Sequence, residues 1–183
     1  MNIALCISGY FTNKNNDNLL EYNHIYDYII NNIDKNKHKL DIFIHSFDIK
    51  SEHNIRKKYP ECKKCIIEPQ INFRNKLTPN NIIFEKTLDL NVFQYPITLD
   101  SQLSFMYSRK QSINMALEEQ MEYNLIIWCR FDMSIRLKKP YNKCNPTKLI
   151  LPNISEIEVN KLYMADWEHF HSGYSDHWFF SNP

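Results

Sequence analysis

Three short apolar runs constrain this chain more than any other feature. They are Ile3-Ala4-Leu5-Cys6-Ile7-Ser8, Leu40-Asp41-Ile42-Phe43-Ile44-His45-Ser46-Phe47 and Leu125-Ile126-Ile127-Trp128-Cys129-Arg130. Each is short and nearly continuous, where a strand with one wet face would alternate. That is the pattern of buried strands, and the first run looks like a parallel strand covered on both faces. Between the first two runs, Leu19, Leu20, Ile25, Tyr26, Ile29, Ile30 and Ile33 recur at spacings of three and four, which predicts an amphipathic helix over 18–33. Asp17 stands where an N-cap belongs. Strand, helix, strand is a right-handed βαβ unit, so the first two strands should run parallel.

The rest of the chain extends this pattern. Residues 51–59 predict a short helix and Cys65-Ile66-Ile67-Glu68 a third strand closed by Pro69. Residues 70–100 mix Pro79, Pro96, several Asn and scattered aromatics, and read as a long irregular segment of the kind that covers substrates. Residues 101–123 predict the clearest helix, capped by Asp100 or Ser101, with Leu103, Met106, Tyr107, Ile113, Leu117 and Met121 as its apolar stripe. Further strands are expected at 148–151 and 177–180. With no internal repeat and no biased linker, 1–183 reads as a single α/β domain.

Composition narrows the function classes. Hydrophobic residues are 43% of the chain, enough to exclude a disordered one. Lys and Arg number 22 against 21 Asp and Glu, so no bulk field favours nucleic acid or an acidic membrane. No transmembrane segment is expected, because no stretch approaches the roughly 18 apolar residues of a span. The first eight residues lack the features of a signal peptide, which predicts a cytoplasmic protein. Five Cys, an odd number, fit reduced thiols.

In an open α/β sheet, ligands bind beyond the carboxyl ends of the strands. The polar residues there are Ser8-Gly9-Tyr10 after the first strand, His45-Ser46 and Asp48 at the second, and Arg130-Phe131-Asp132 at the third run. Gly9 can adopt a positive φ and let a ligand approach the backbone, and Tyr10 could stack on a base. Arg109 lies off the apolar stripe of its helix and is a phosphate candidate. The densest polar and aromatic cluster runs from Asp166 to His177 and offers Asp176, then Asp166, as a general base.

These landmarks together resemble a family of small GT-A-type glycosyltransferases found in bacteria and large DNA viruses. The matching pieces are Ile7-Ser8-Gly9, Asp41 to Ser46, Ser104-Phe105-Met106-Tyr107-Ser108, Arg130-Phe131-Asp132 and Asp176-His177-Trp178-Phe179. The resemblance implies a GT-A-like, Rossmann-like three-layer α/β/α sandwich with a mainly parallel central sheet. It implies metal-assisted transfer of a sugar from a nucleotide-diphosphate donor to a hydroxyl of a glycan or glycoprotein. Asp132 would bind Mn²⁺ or Mg²⁺, a hard ion suited to carboxylate oxygens. Ser8, Gly9, Tyr10, Arg109 and Arg130 would contact the donor, with Asp176 and Asp166 near the acceptor. Arg130 stands where the family pattern has the first Asp of Asp-x-Asp, which leaves one of two carboxylates. Family members also continue past the point matching Pro183, so a minimal or C-terminally shortened domain is expected.

Three other readings compete. A domain of the same fold could bind a nucleotide-sugar or glycan without catalysis. His169 and His171 alternate, and with Asp166, Asp176 or His177 could hold Zn²⁺ in a hydrolase, although no His-Glu-x-x-His pair is present. Cys62-Lys63-Lys64-Cys65 could begin a structural zinc site, but Cys129 and Cys144 are wrongly spaced to complete it.

Overall fold

The structure, a computed structural model, describes residues 1–12, 24–73, 99–131, 157–158, 161–164 and 178–181. Its strands are β1 (Asn2–Ser8), β2 (Lys39–Ser46), β3 (Cys62–Ile67), β4 (Leu125–Arg130), β5 (Leu162–Met164) and β6 (Trp178–Ser181). Its helices are α1 (His24–Tyr28), α2 (Glu52–Lys58) and α3 (Leu99–Leu117). The six strands form one sheet in the order β3-β2-β1-β4-β6-β5. β3, β2, β1 and β4 run parallel, and β6 pairs antiparallel with both β4 and β5. The sheet is therefore mixed and mostly parallel, in an α/β fold.

The three apolar runs are the sheet's centre, and both of their faces are buried. Ile3, Leu5, Ile7, Ile42, Ile44, Leu125 and Ile127 point to one core, where they meet Ile25, Ile29 and Ile30 around α1, Ile55 of α2, and Tyr59. Ala4, Cys6, Phe43, Ile126 and Trp128 point to the opposite core, under Met115 and Ala116 of α3. Alternate residues thus serve opposite cores, so a strand with period two reads as one unbroken apolar run.

α3 spans 99–117 rather than 101–123, and its buried face is not the expected one. Met106 and Leu117 are exposed, at 51% and 58%, whereas Ser104, Ser108, Ser112, Met115 and Ala116 are buried. Ser104, Ser108, Ser112 and Ala116 recur every four residues, and their small side chains let the helix lie close on β1 and β2. The buried hydroxyls are satisfied locally. Ser104 Oγ donates to Asp100 O at 2.7 Å and Ser112 Oγ to Arg109 O at 2.9 Å. A hydropathy stripe misses such a face because serine scores as polar. The helix ends early because the following turn is held elsewhere. Glu119 pairs with Lys63 at 2.8 Å and Lys64 at 2.7 Å on the edge strand. Tyr123 OH donates to Asp41 Oδ2 at 2.7 Å. Asp41 thus sits at the amino end of β2, opposite His45 and Ser46. Burial pushes its carboxyl up, but the Tyr123 and Lys63 hydrogen bonds outweigh that and hold it below the ordinary value.

β3 begins three residues earlier than expected, at Cys62, and β5 at 162–164 was not anticipated. β6 matches the expected last strand to within one residue. Of the helix expected over 18–33, residues 24–28 are α-helical and 30–32 form a 3₁₀ turn. Residues 18–23 and Asp17 lie outside the described residues, as do the strand at 148–151 and most of the 70–100 segment.

The face assignment of α3 is testable by chemical denaturation. Met115→Ala should cost about 2–3 kcal/mol, as truncation of a buried side chain does. Leu117→Ala should stay within about 0.5 kcal/mol. The reverse order would restore the hydropathy stripe.

Candidate active site

β1 leads to β2 and β3 on one side, and the chain then crosses back to β4 on the other. The carboxyl ends of β1 and β4 therefore flank the topological switch point, where α/β sheets open a crevice. The register places His45, Ser8 and Arg130 side by side on β2, β1 and β4. By strand alternation all three belong to the face covered by α3.

Gly9 ends β1 with φ of 110°, the left-handed region the sequence suggested. A Cβ there would meet no atom within 4 Å, so backbone conformation, not crowding, demands glycine. The turn is anchored from the β2 side. Ser46 Oγ donates to Gly9 O at 2.7 Å, and Asp48 Oδ2 accepts from Thr12 N at 2.9 Å and Thr12 Oγ1 at 2.6 Å. Ser8 is fully buried, and its hydroxyl accepts the Trp128 indole N–H at 3.1 Å. Its side chain thus positions the tryptophan, and what it can offer a ligand is the adjoining backbone. Tyr10 OH donates to Gln70 Oε1 at 2.6 Å, and Gln70 Nε2 reaches Ser104 Oγ at 2.6 Å.

Arg109 and Arg130 converge on one aromatic group. The Arg109 guanidinium carbon lies 5.4 Å from the Phe105 ring centre, 5.6 Å from Trp128 and 5.8 Å from Phe179. That of Arg130 lies 5.2 Å from Phe105. Trp128 and Phe179 stack at 5.1 Å, with Phe105 edge-on to Trp128 at 5.6 Å. Arg109 has no carboxylate partner among the described residues. A guanidinium lying against rings keeps in-plane N–H donors for an anion, and the rings withhold water from one side. Sequence reasoning proposed both arginines but missed Phe105 and Phe179 as their support. The available signal was the spacing of four between Phe105 and Arg109 on one helix.

A second polar cluster lies beneath β2. His45 Nδ1 is 2.7 Å from Ser108 Oγ, and Nε2 is 3.0 Å from Glu68 Oε1. Burial lowers the imidazole pKa more than the Glu68 carboxylate raises it. The neutral ring then donates from Nε2 to Glu68 and accepts from Ser108 at Nδ1. The geometry has the outline of a serine–histidine–carboxylate relay. Yet His45 is 0% and Ser108 2% exposed, so no substrate carbonyl reaches the hydroxyl. The relay fixes α3 to β2. Tyr107 closes it, its ring 5.7 Å from His45 and 5.5 Å from Phe73.

Asp132, Asp166 and Asp176 lie outside the described residues, as do His169, His171, His177 and Cys144. Among the described residues, no three His, Cys, Asp or Glu side chains cluster as a metal site would require. Arg109 and Arg130 suit an anion, so the metal expectation rests on Asp132, which follows Phe131 in sequence. None of the described helices is long and apolar enough to cross a membrane. Compared with family models, curated proteins and solved structures, the chain matches none.

The relay has a measurable pH signature. Because the folded-state pKa of His45 is depressed, its contribution is complete above the ordinary value of about 6.5. It is lost as pH falls from there through the folded-state pKa, since the unfolded state then binds more protons. The wild type should lose stability between pH 7.5 and 5 more steeply than His45→Gln, as read from urea midpoints. Parallel losses in the two proteins would contradict this.

Proposed function

We propose that this chain is a glycosyltransferase that moves a sugar from a nucleotide-diphosphate donor to a hydroxyl of a glycan or glycoprotein acceptor. One observation carries the reading. Two guanidiniums, Arg109 and Arg130, stand on a shared aromatic support at the switch point of a mostly parallel sheet. That is a place for a diphosphate, and the Ser8-Gly9-Tyr10 turn opposite suits the approach of a nucleotide.

The chemistry follows from charge. When the bond between the anomeric carbon and the phosphate oxygen breaks, negative charge builds on the departing diphosphate. Donors already oriented toward it stabilise that charge without reorganising. Arg130 and Arg109 would grip the phosphate oxygens by forked hydrogen bonds. The Gly9 backbone would lie against the nucleotide, and the Tyr10 ring beside the base. Asp176, with Asp166 as the second choice, would take the proton of the attacking hydroxyl. A divalent Mn²⁺ or Mg²⁺, when bound, would neutralise phosphate charge, and Asp132 would hold it. The site of action would be the cytoplasm, of the host if the chain is viral.

The replacement of the first Asp of Asp-x-Asp by Arg130 also favours a second reading, a domain that binds a nucleotide-sugar without turning it over. Binding and turnover distinguish the two.

A thermal-shift screen with UDP-, GDP-, CMP- and dTDP-sugars, with and without Mn²⁺, tests the proposal. One nucleotide should stabilise the protein, by about 2.7 kcal/mol at a hundredfold excess over Kd. Arg109→Met, which keeps an apolar stem under the rings, should weaken that donor about 10- to 100-fold, the worth of a charged hydrogen bond. Asp132→Ala should abolish the Mn²⁺ dependence while leaving the fold intact. Silence toward every donor, with a response to Zn²⁺ alone, would redirect attention to the histidines of 169–177.

A further inference from the structure

Cys62 and Cys65 are three residues apart on β3, so a regular strand would send them to opposite faces. A bulge prevents this. Ile42 faces Cys62, but Phe43 faces Lys64, so Lys63 is the extra residue. The burial pattern follows the bulge: Cys62 and Cys65 are both half-buried, while Lys63 and Lys64 between them are exposed. Both thiols line one surface cavity of about 160 Å³, together with Ile44, Ile55, Arg56 and Tyr59. Both sulfurs are free thiols. The Cys62 S–H points at main-chain oxygens, Lys64 O at 3.0 Å and Ile42 O at 3.4 Å. Arg56 is held at the cavity wall by Glu52, its Nε 2.9 Å from the carboxylate.

This arrangement suits chelation better than disulfide formation. At about 3.3 Å per residue, same-face neighbours flanking a bulge stand about 7 Å or more apart at Cα. That lies at or beyond the Cα separation a disulfide spans, about 4.4–6.8 Å. Two thiolates bridged by a metal need their sulfurs only about 4–4.5 Å apart, given metal–sulfur bonds of about 2.3 Å. Among the described residues no third His, Cys, Asp or Glu joins the pair, so a cation demanding four ligands is poorly served. A soft cation that accepts two sulfurs is well served.

We propose that Cys62 and Cys65 form a two-thiolate clamp for a soft monovalent cation of the copper(I) class, with the Arg56 guanidinium on the wall of the same cavity. Binding forms two metal–sulfur bonds and releases the thiol protons to solvent, and no electrons move. Two thiolates around one monovalent cation leave one negative charge, and the Arg56 guanidinium, shared with Glu52, lines the same cavity. The site lies on the face opposite α3, away from Arg109 and Arg130.

The test is anaerobic titration of the full chain with Cu(I) against bicinchoninate, with circular dichroism to verify folding. The wild type should retain one Cu(I) per chain, more tightly as pH rises. C62S and C65S should each weaken it about tenfold or more. C144S should leave it unchanged, and R56Q should weaken it while keeping the stoichiometry. Equal Cu(I) affinity in the folded C62S/C65S double variant would overturn the proposal. So would ready closure of a Cys62–Cys65 disulfide by glutathione disulfide in the folded protein, seen as a mass loss of two hydrogens.

Discussion

The structure depends on burying both faces of β1 and its two neighbours. Parallel strands cannot be joined by a tight turn, so each connection carries a crossover that must pack on one face or the other. Here α1 and α2 cover one face and α3 the other. The central strands then contribute apolar side chains to both cores. A substitution there removes contacts from one core and is felt by the sheet that supports the other.

That constraint also decides where polarity can go. The middle of each strand is sealed, so polar side chains gather at the ends. At the amino end, Asp41, Lys63, Tyr123 and Glu119 form a hydrogen-bonded network that ties β2, β3 and the exit of α3 together. At the carboxyl end, the row His45, Ser8 and Arg130 divides by burial. His45 and Ser8 are sealed and satisfied by Ser108, Glu68 and Trp128. Arg130, one strand further along, is half-buried against Phe105. A single sheet edge thus supplies fasteners on one side and cationic donors on the other.

Much of the fold was legible because its signal is local. The β1, β2 and β4 runs, the parallel pairing of β1 with β2 and the glycine at position 9 all follow from residue order and backbone sterics. The seat of α3 was less legible. Its buried face is made of serines, whose hydroxyls are satisfied by carbonyls of their own helix and by His45. The third strand was clipped because Lys63 is the extra residue of a bulge, which disturbs the alternation used to recognise a strand. Of the site, Arg109 and Arg130 could be nominated from position alone. Of their aromatic support only Phe105 shares a helix with Arg109, and Trp128 and Phe179 come from two other elements that residue order does not bring together.

By itself the sequence determined that the chain has doubly covered strands, the first two parallel, with polar residues at the strand ends. Strand length, side-chain alternation and glycine conformation are properties of neighbouring residues. Which polar groups at the strand ends are sealed and which are only half-buried was decided by the tertiary structure. Burial is a property of the assembled layers. Ser8 and His45 share a strand-end position with Arg130, and the packing of Trp128 and α3 over them separates their fates.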